Sequence, residues 1–112
     1  MNDKDRANLS AICDAIRKIK HFVVTKKDAD DFYADEIVYD ASLMNFVVIG
    51  EAASKISEEL RNANKQIPFT KVKDFRNMIA HDYFGVDAEV VWQIIHNNLP
   101  DLEQRIKNLL HK

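Results

Sequence analysis

The sequence predicts an all-α protein, an antiparallel up-and-down bundle of four to five helices. The 112 residues contain only two glycines and two prolines, fewer than the many turns of an all-β chain require. Apolar residues recur at steps of three and four, and no alternating apolar pattern persists along the chain. A composition of 46% hydrophobic and 30% charged residues excludes a wholly disordered chain, so we expect a single domain over residues 1–112.

The first predicted helix begins after a cap at Asp3 or Asp5 and ends near Thr25, where a polar corner follows. We expect one apolar face of this helix to pack into the core of the bundle. That face consists of Leu9, Ile12, Ile16, Ile19 and Val23.

The second predicted helix runs from near Asp31 to about Asn62 and contains Gly50 in its interior. A glycine inside a helix costs about 1 kcal/mol relative to alanine, so we expect this one to let another backbone approach closely. The apolar face predicted for this helix consists of Ile37, Ala41, Met44, Val48, Ala52, Ile56 and Leu60.

The third predicted helix extends over Phe69–Phe84, and Gly85 is expected to end it by adopting a positive φ. Asp87 is predicted to cap a fourth helix, which closes at Asn97–Asn98. Pro100 opens the fifth helix, because proline suits the first turn of a helix.

The location of the protein is indicated by its cysteine content and hydropathy. The single cysteine, Cys13, excludes an internal disulfide and a multi-cysteine zinc site. No apolar stretch follows the charged N-terminus, and the longest purely apolar run, Phe46–Ile49, is far shorter than the roughly 20 residues of a membrane span. We therefore expect a cytoplasmic protein with no membrane partner.

Basic residues are concentrated in two stretches of the chain. Residues 17–27 contain five basic and no acidic residues, and residues 61–76 contain five basic residues and a single acidic one. Such stretches can hold an anion such as a phosphate backbone. The net charge is −2, however, and charge runs also occur as solvated helix faces, so both interpretations stay open.

Four polar side chains of the third predicted helix lie close together in sequence: Arg76, Asn77, His81 and Tyr83. Arg76 and Tyr83 are seven residues apart and share one helix face, and Asn77 and His81 share another. Arg76 and His81 are separated by about 140° around the helix axis. A joint site therefore needs the long reach of Arg76, a distorted last turn, or a second copy of the helix from a symmetric homodimer.

These residue types are suited to cleavage of RNA. Histidine exchanges protons near neutral pH, and arginine holds a phosphate and stabilises developing negative charge. Because the RNA 2′-hydroxyl is a built-in nucleophile, a histidine and an arginine brought together could cleave the backbone without a metal. The structural alternative is that Arg76 pairs with Asp74 or Glu51 and that His81 is an ordinary helix-end histidine.

The arrangement Arg76-Asn77-x-x-x-His81-x-Tyr83 resembles the signature of the HEPN superfamily, specifically its HepT branch. HepT proteins are the toxin half of toxin–antitoxin pairs with a minimal nucleotidyltransferase. The Arg-x-x-x-x-His spacing alone is a weak signal, but the surrounding sequence makes it much stronger. One departure is Phe69, where the family often has tryptophan. Further elements fit in order along almost the whole chain: Ile49–Ala53, Ile67–Pro68, Val91–Ile95 and Leu99–Leu102.

The resemblance implies a HEPN-like bundle that dimerises and joins two Arg–His motifs in a composite cleft. It implies a metal-independent endoribonuclease without a cofactor, in which Arg76 holds the phosphate and His81 exchanges protons. Asn77 and Glu51 are expected to support this site or to bind RNA. The resemblance also implies a partner nucleotidyltransferase that neutralises the toxin by transferring AMP to Tyr83.

Two other functions stay open on the sequence. HEPN domains also occur as non-catalytic helical accessories that bind nucleotide or substrate for a nucleotidyltransferase, and an acidic pI of about 6.1 slightly favours such a binding module. A plain structural bundle would leave the spacing of Arg76 and His81 as a coincidence.

Overall fold

Seven α-helices and one short 3₁₀ turn make up the computed structural model, which describes all residues from Met1 to Lys112 and contains no strand. The prediction of an all-α bundle is therefore confirmed. The elements are α1 (Asp3–Val23), α2 (Ala29–Ala34), α3 (Glu36–Ser54), α4 (Glu58–Ala63), α5 (Phe69–His81), the 3₁₀ turn (Tyr83–Gly85), α6 (Ala88–Asn97) and α7 (Leu99–Leu110).

Helix α3 lies at the centre of the bundle, between α1 on one side and α5 on the other. Helix α7 packs against α1 and α6, and α2 packs against α6 and α3. The whole apolar face predicted for α1 is buried in the common core. The cap of α1 is Asn2, however, whose Oδ1 accepts the Asp5 backbone N–H at 2.6 Å, while Asp3 and Asp5 lie in the first turn.

The single helix predicted from near Asp31 to about Asn62 is wrong, because the chain forms three helices there. Asp35 has extended backbone angles and begins α3, with its Oδ1 accepting the Val38 N–H at 3.2 Å. Ser57 begins α4 in the same way, with its Oγ accepting the Leu60 N–H at 3.2 Å. Short polar side chains that bind nearby amides compete with the helix, and here they interrupt it.

The face of α3 that enters the core is not the predicted one. Its core residues include Tyr39, Leu43, Phe46 and Ile49, whereas the predicted Ile37, Met44 and Val48 are exposed. Ala52 of the predicted face is buried, as expected, and so is Ile56, which lies beyond the end of α3. Because α3 carries apolar residues on both faces, its periodicity alone did not decide which face packs.

The apolar character of α3 extends over its whole length. With a mean hydropathy of 1.2, α3 is long and apolar enough to cross a membrane, a test that core helices of soluble proteins also pass. In the bundle, 44% of this stretch is buried.

Gly50 allows the backbones of α3 and α5 to come close together, as the sequence predicted. A Cβ atom on Gly50 would lie only 2.0 Å from Cβ of Arg76 and 3.2 Å from the carbonyl oxygen of Val72. No real Cβ tolerates the shorter distance, so any other residue would push α5 away from α3.

Helix α5 ends at His81 instead of continuing to Phe84. Asp82 leaves the helix at φ −140° and ψ 65°, and the 3₁₀ turn follows. Gly85 does not cap the helix with a positive φ, because no residue of the chain has one. Helices α6 and α7 begin close to their predicted starts, with Asp87 Oδ1 accepting the Glu89 N–H at 2.9 Å and Pro100 in the first turn of α7.

We predict that Gly50→Ala lowers the free energy of unfolding by about 1–3 kcal/mol, because the added methyl overlaps the Arg76 side chain. Gly85→Ala is the matched control. There a Cβ would meet the exposed Asp82 carboxylate at 2.1 Å, and that side chain can rotate away. We expect Gly85→Ala to change stability by less than about 1 kcal/mol. Urea unfolding measures both, and equal effects would contradict the close α3–α5 contact.

Candidate active site

Helix α5 carries three of the candidate residues and is held along one side by α3. Phe69 and Ile79 are buried, and the rings of Phe75 and of Phe46 on α3 meet edge to face with their centroids 5.0 Å apart. The opposite side of α5 is exposed. The candidate residues are therefore presented on a helix whose orientation is fixed by packing.

Arg76 lies at the α3–α5 contact. The first carbons of its side chain pack over Gly50, and its Nη2 lies 3.3 Å from Oε2 of Glu51. Only 24% of the side chain is exposed, and its Nε is buried without a hydrogen-bond acceptor. The fold thus fixes the base of the side chain, while the guanidinium keeps unused donors of the kind that bind phosphate.

Glu51 is the acid that contacts Arg76, and Asp74, the other acid considered from the sequence, makes no ion pair with it. Glu51 is half exposed and also lies 3.8 Å from Nζ of Lys55. Ion pairs this exposed contribute only about 0–1 kcal/mol to stability. The contact is therefore better suited to orienting the guanidinium than to stabilising the fold.

His81 is the last residue of α5, and its ring is exposed and makes no hydrogen bond within the chain. Asn77 lies one turn earlier on the same face and is also exposed. Because α5 is a regular helix up to His81, the expected separation of about 140° between Arg76 and His81 is preserved. One chain therefore does not join the two side chains in a hydrogen-bonded cluster.

Tyr83 does not continue the Arg76 face of the helix, because the chain turns away at Asp82. Its hydroxyl donates a hydrogen bond to Oδ1 of Asp40, on α3. This bond and the negative charge of Asp40 raise the pKa of Tyr83 to about 12. The phenol therefore stays protonated at neutral pH, held against a carboxylate.

Asp40 is the functional candidate that sequence reasoning missed. It belongs to the acidic run over residues 28–40, and nothing in that run distinguishes it. Its partner Tyr83 is 43 residues away, so no local spacing could have revealed the pair. Together they line a cleft of about 480 Å³ whose walls include Tyr33, Tyr39 and Phe84.

The two basic stretches differ in their partners. In the first, four of the basic side chains form ion pairs with nearby acids: Arg17 and Lys18 with Asp14, Lys20 with Glu103, and Lys26 with Asp35. In the second, four basic residues have no acidic partner within ion-pair distance: Arg61, Lys65, Lys71 and Lys73. Three of these, Arg61, Lys65 and Lys71, line a groove of about 580 Å³ at the start of α5. This groove is the stronger candidate for binding an anion.

Residues outside this region form no second chemical cluster. Burial and the nearby Glu103 raise the pKa of the Cys13 thiol, which keeps it in its less reactive form. Trp92 is partly buried and packs against Phe32, with ring centroids 5.6 Å apart. No three His, Cys, Asp or Glu side chains are arranged to hold a metal ion.

The family model described as "Ribonuclease HepT-like" matches residues 12–109 of the chain. The chain belongs to the HepT-like ribonuclease family. It is 30% identical over 83 residues to a "Putative RNase" of Caldanaerobacter subterraneus subsp. tengcongensis, covering 74% of each protein. It is 29% identical over 102 residues to the "Probable ribonuclease HepT" of Thermococcus cleftensis, covering 90% of this chain and 91% of that protein. No solved structure matches the chain.

Membership of the HepT-like family confirms the resemblance seen in the sequence and assigns ribonuclease activity at the level of the family. The matched region includes α3, α5 and the 3₁₀ turn, and so every candidate residue described above.

We predict that Asp40→Asn lowers the pKa of Tyr83 from about 12 toward its ordinary value of 10.0, because the negative charge beside the phenol is removed. Ultraviolet titration of the phenolate measures the shift. Subtracting the titration curve of Tyr83→Phe from that of each protein isolates the signal of Tyr83 from those of the other tyrosines. Folding raises this pKa, so the Tyr83–Asp40 hydrogen bond stabilises the folded state below pH 10. That contribution to the free energy of unfolding is lost as the pH rises through about 12. An unchanged titration curve would contradict the Asp40–Tyr83 hydrogen bond.

Proposed function

We propose that this chain is the toxin of a toxin–antitoxin pair and that it cleaves RNA internally without a metal. Membership of the HepT-like ribonuclease family supports the activity. The observation that carries the site is the fixed position of Arg76, packed over Gly50 and paired with Glu51, on the same helix as an exposed His81.

In the proposed reaction, His81 takes the proton of the RNA 2′-hydroxyl, whose oxygen then attacks the adjacent phosphorus. Arg76 binds the non-bridging phosphate oxygens and stabilises the negative charge that develops on them. The bond between the phosphorus and the 5′-oxygen breaks, and that oxygen leaves with a proton supplied by the motif histidine, His81. Asn77, one turn before His81, orients the imidazole or binds the RNA, and Glu51 holds the guanidinium.

We further propose that two copies of the chain form the complete site. Within one chain Arg76 and His81 point about 140° apart, so a second copy is needed to bring an arginine and a histidine together. The exposed apolar residues Ile37, Met44 and Val48 share one face of α3, and this face continues to Glu51 beside Arg76. A second chain that covers this face would place its own motif next to the first.

The groove lined by Arg61, Lys65 and Lys71 supports RNA as the substrate. Its basic side chains form no ion pair, although Glu58 also lines the groove, and it lies at the start of the helix that carries Arg76. Unpaired basic side chains attract a phosphate backbone and release its counterions. The groove is therefore a local site of positive charge on a chain whose net charge is −2.

The proposed control of the toxin is transfer of AMP to Tyr83 by a minimal nucleotidyltransferase encoded with it. Tyr83 follows the motif histidine by two residues, and its side chain is exposed and lines a cleft. In this proposal the single HEPN-like domain over residues 1–112 acts in the cytoplasm, where it meets RNA and the partner.

A second candidate function is a non-catalytic binding module for RNA or nucleotide. The observation that favours it is that Arg76 and His81 do not meet within one chain. Such a module would bind through the same basic groove and leave RNA intact under every condition, so a cleavage assay separates the two functions.

We predict that His81→Ala lowers the rate of RNA cleavage by about 10²–10⁴-fold, as expected for loss of a general acid or base. Arg76→Ala should lower it by about 10²–10³-fold, as for loss of a group that stabilises the transition state. The assay uses protein whose intact mass is free of AMP, incubated with RNA in excess EDTA. His21→Ala is the matched control, because His21 is an exposed histidine in the last turn of α1.

Cleavage that is lost in His81→Ala and retained in His21→Ala supports the proposed site. Equal activity of wild type and His81→Ala would contradict it. Absence of cleavage by the unmodified wild-type dimer would instead support the binding module.

We predict that Met44→Glu converts the dimer into monomers and abolishes cleavage, because it places a charge on the apolar face of α3. Val90→Glu is the matched control, because it introduces the same charge on a different helix, α6. Val90 is 45% exposed, and Met44 is 61% exposed. We expect Val90→Glu to remain dimeric. Light scattering after size-exclusion chromatography measures both, and a Met44→Glu dimer with full activity would contradict this interface.

A further inference from the structure

The Asp40–Tyr83 pair joins a nucleophile to a base across two elements of the fold. Tyr83 lies on the 3₁₀ turn and Asp40 on α3, and the phenol donates directly to the carboxylate. Both side chains are exposed, so the pair lies at the surface and not in the core. A hydroxyl in hydrogen-bond contact with a base is the arrangement that activates nucleophiles in covalent catalysis.

We propose that Asp40 is the general base for modification of Tyr83, orienting the hydroxyl and accepting its proton during AMP transfer. This inference rests on the proposed modification of Tyr83 and deepens it. The donor is adenosine triphosphate held by the partner nucleotidyltransferase.

The transfer needs such a base, because the phenol is neutral before it reacts. The pKa of about 12 means that almost no phenolate exists at neutral pH. A neutral phenol is a weak nucleophile, and it attacks efficiently only if its proton leaves as the new bond forms. Asp40 is the one group that receives a hydrogen bond from this hydroxyl.

The Tyr83 oxygen forms a bond to the α-phosphorus of the nucleotide, and the bond from that phosphorus to the bridging oxygen of pyrophosphate breaks. The phenolic proton passes to Asp40 and then to water, and pyrophosphate leaves. The product is AMP joined to Tyr83 through a phosphodiester.

The cleft around the pair has room for a nucleotide and exposed aromatic surfaces that suit its base. Its volume of about 480 Å³ lies within the usual range for small-molecule sites. Phe84, beside Tyr83, is 98% exposed, and Tyr33, which also lines the cleft, is exposed as well. Exposed aromatic rings of this kind stack on nucleobases without selecting a sequence.

The test compares AMP transfer to wild type and to Asp40→Asn, with the partner nucleotidyltransferase and adenosine triphosphate, followed by intact mass and peptide mapping of Tyr83. The asparagine can still accept the hydrogen bond but cannot take the proton. We expect transfer to Asp40→Asn to be about 10²–10⁴-fold slower at neutral pH. Asp30→Asn, which removes the same charge from the exposed face of α2 outside the cleft, is the control.

The dependence on pH distinguishes a base from a residue that only holds Tyr83 in place. In Asp40→Asn the phenol must ionise by itself, so its transfer rate relative to wild type should rise as the pH approaches 10. The ratio of the two rates cancels the partner's own pH dependence. The other titratable side chains that line the cleft, Tyr33, Glu36 and Tyr39, are common to both proteins.

Each outcome decides the question. A slow Asp40→Asn whose rate recovers with pH supports the inference, whereas a slow Asp40→Asn whose rate relative to wild type does not recover means that Asp40 only positions Tyr83. If wild type is modified at Tyr83 and Asp40→Asn is modified equally fast, Asp40 is not the base, and the proposed modification stands. If wild type receives no AMP at Tyr83, both the modification and the role of Asp40 are overturned.

Discussion

The contact between α3 and α5 at Gly50 is the constraint on which the candidate site depends. The absence of a side chain at Gly50 lets the base of Arg76 pack directly on the backbone of α3. This contact sets the distance between the two helices and brings the guanidinium within 3.3 Å of Glu51, the next residue after the glycine. A long, flexible arginine is thereby held in a narrow range of positions, and in the proposed reaction this lowers the entropy cost of binding a phosphate. Gly50 and Glu51 thus belong to the candidate site as much as Arg76 does.

The end of α5 separates two chemical regions that a longer helix would have merged. Because the chain leaves the helix at Asp82, Tyr83 turns toward Asp40 on α3 instead of continuing along the Arg76 face. The proposed cleavage residues therefore lie on α5, and the proposed modification site lies in a separate cleft behind the helix end. In this account, AMP on Tyr83 blocks cleavage from a neighbouring cleft, and the two reactions use different bases.

The parts of the structure that follow from local patterns were predicted from the sequence. The buried face of α1, the starts of α6 and α7 and the close approach at Gly50 all depend on spacing or on one residue type. The breaks at Asp35 and Ser57 were missed, because the apolar period continues across them while the side chains cap new helices. The core face of α3 was assigned wrongly, because both of its faces are apolar. The Asp40–Tyr83 contact could not be predicted from local sequence patterns, since it joins residues 43 positions apart.

In the proposed reaction, RNA supplies its own nucleophile, and the protein supplies an arginine and a histidine. The chemical groups at the ends of the cleaved RNA test this claim most directly, because they record which oxygen attacked the phosphorus. Fragments produced by the unmodified protein should be analysed by mass spectrometry before further reaction. Attack by the 2′-hydroxyl leaves a 2′,3′-cyclic phosphate on one fragment and a 5′-hydroxyl on the other, and this is the result we predict. Fragments that carry a 3′-hydroxyl and a 5′-phosphate would mean that water attacked instead, and they would contradict the account.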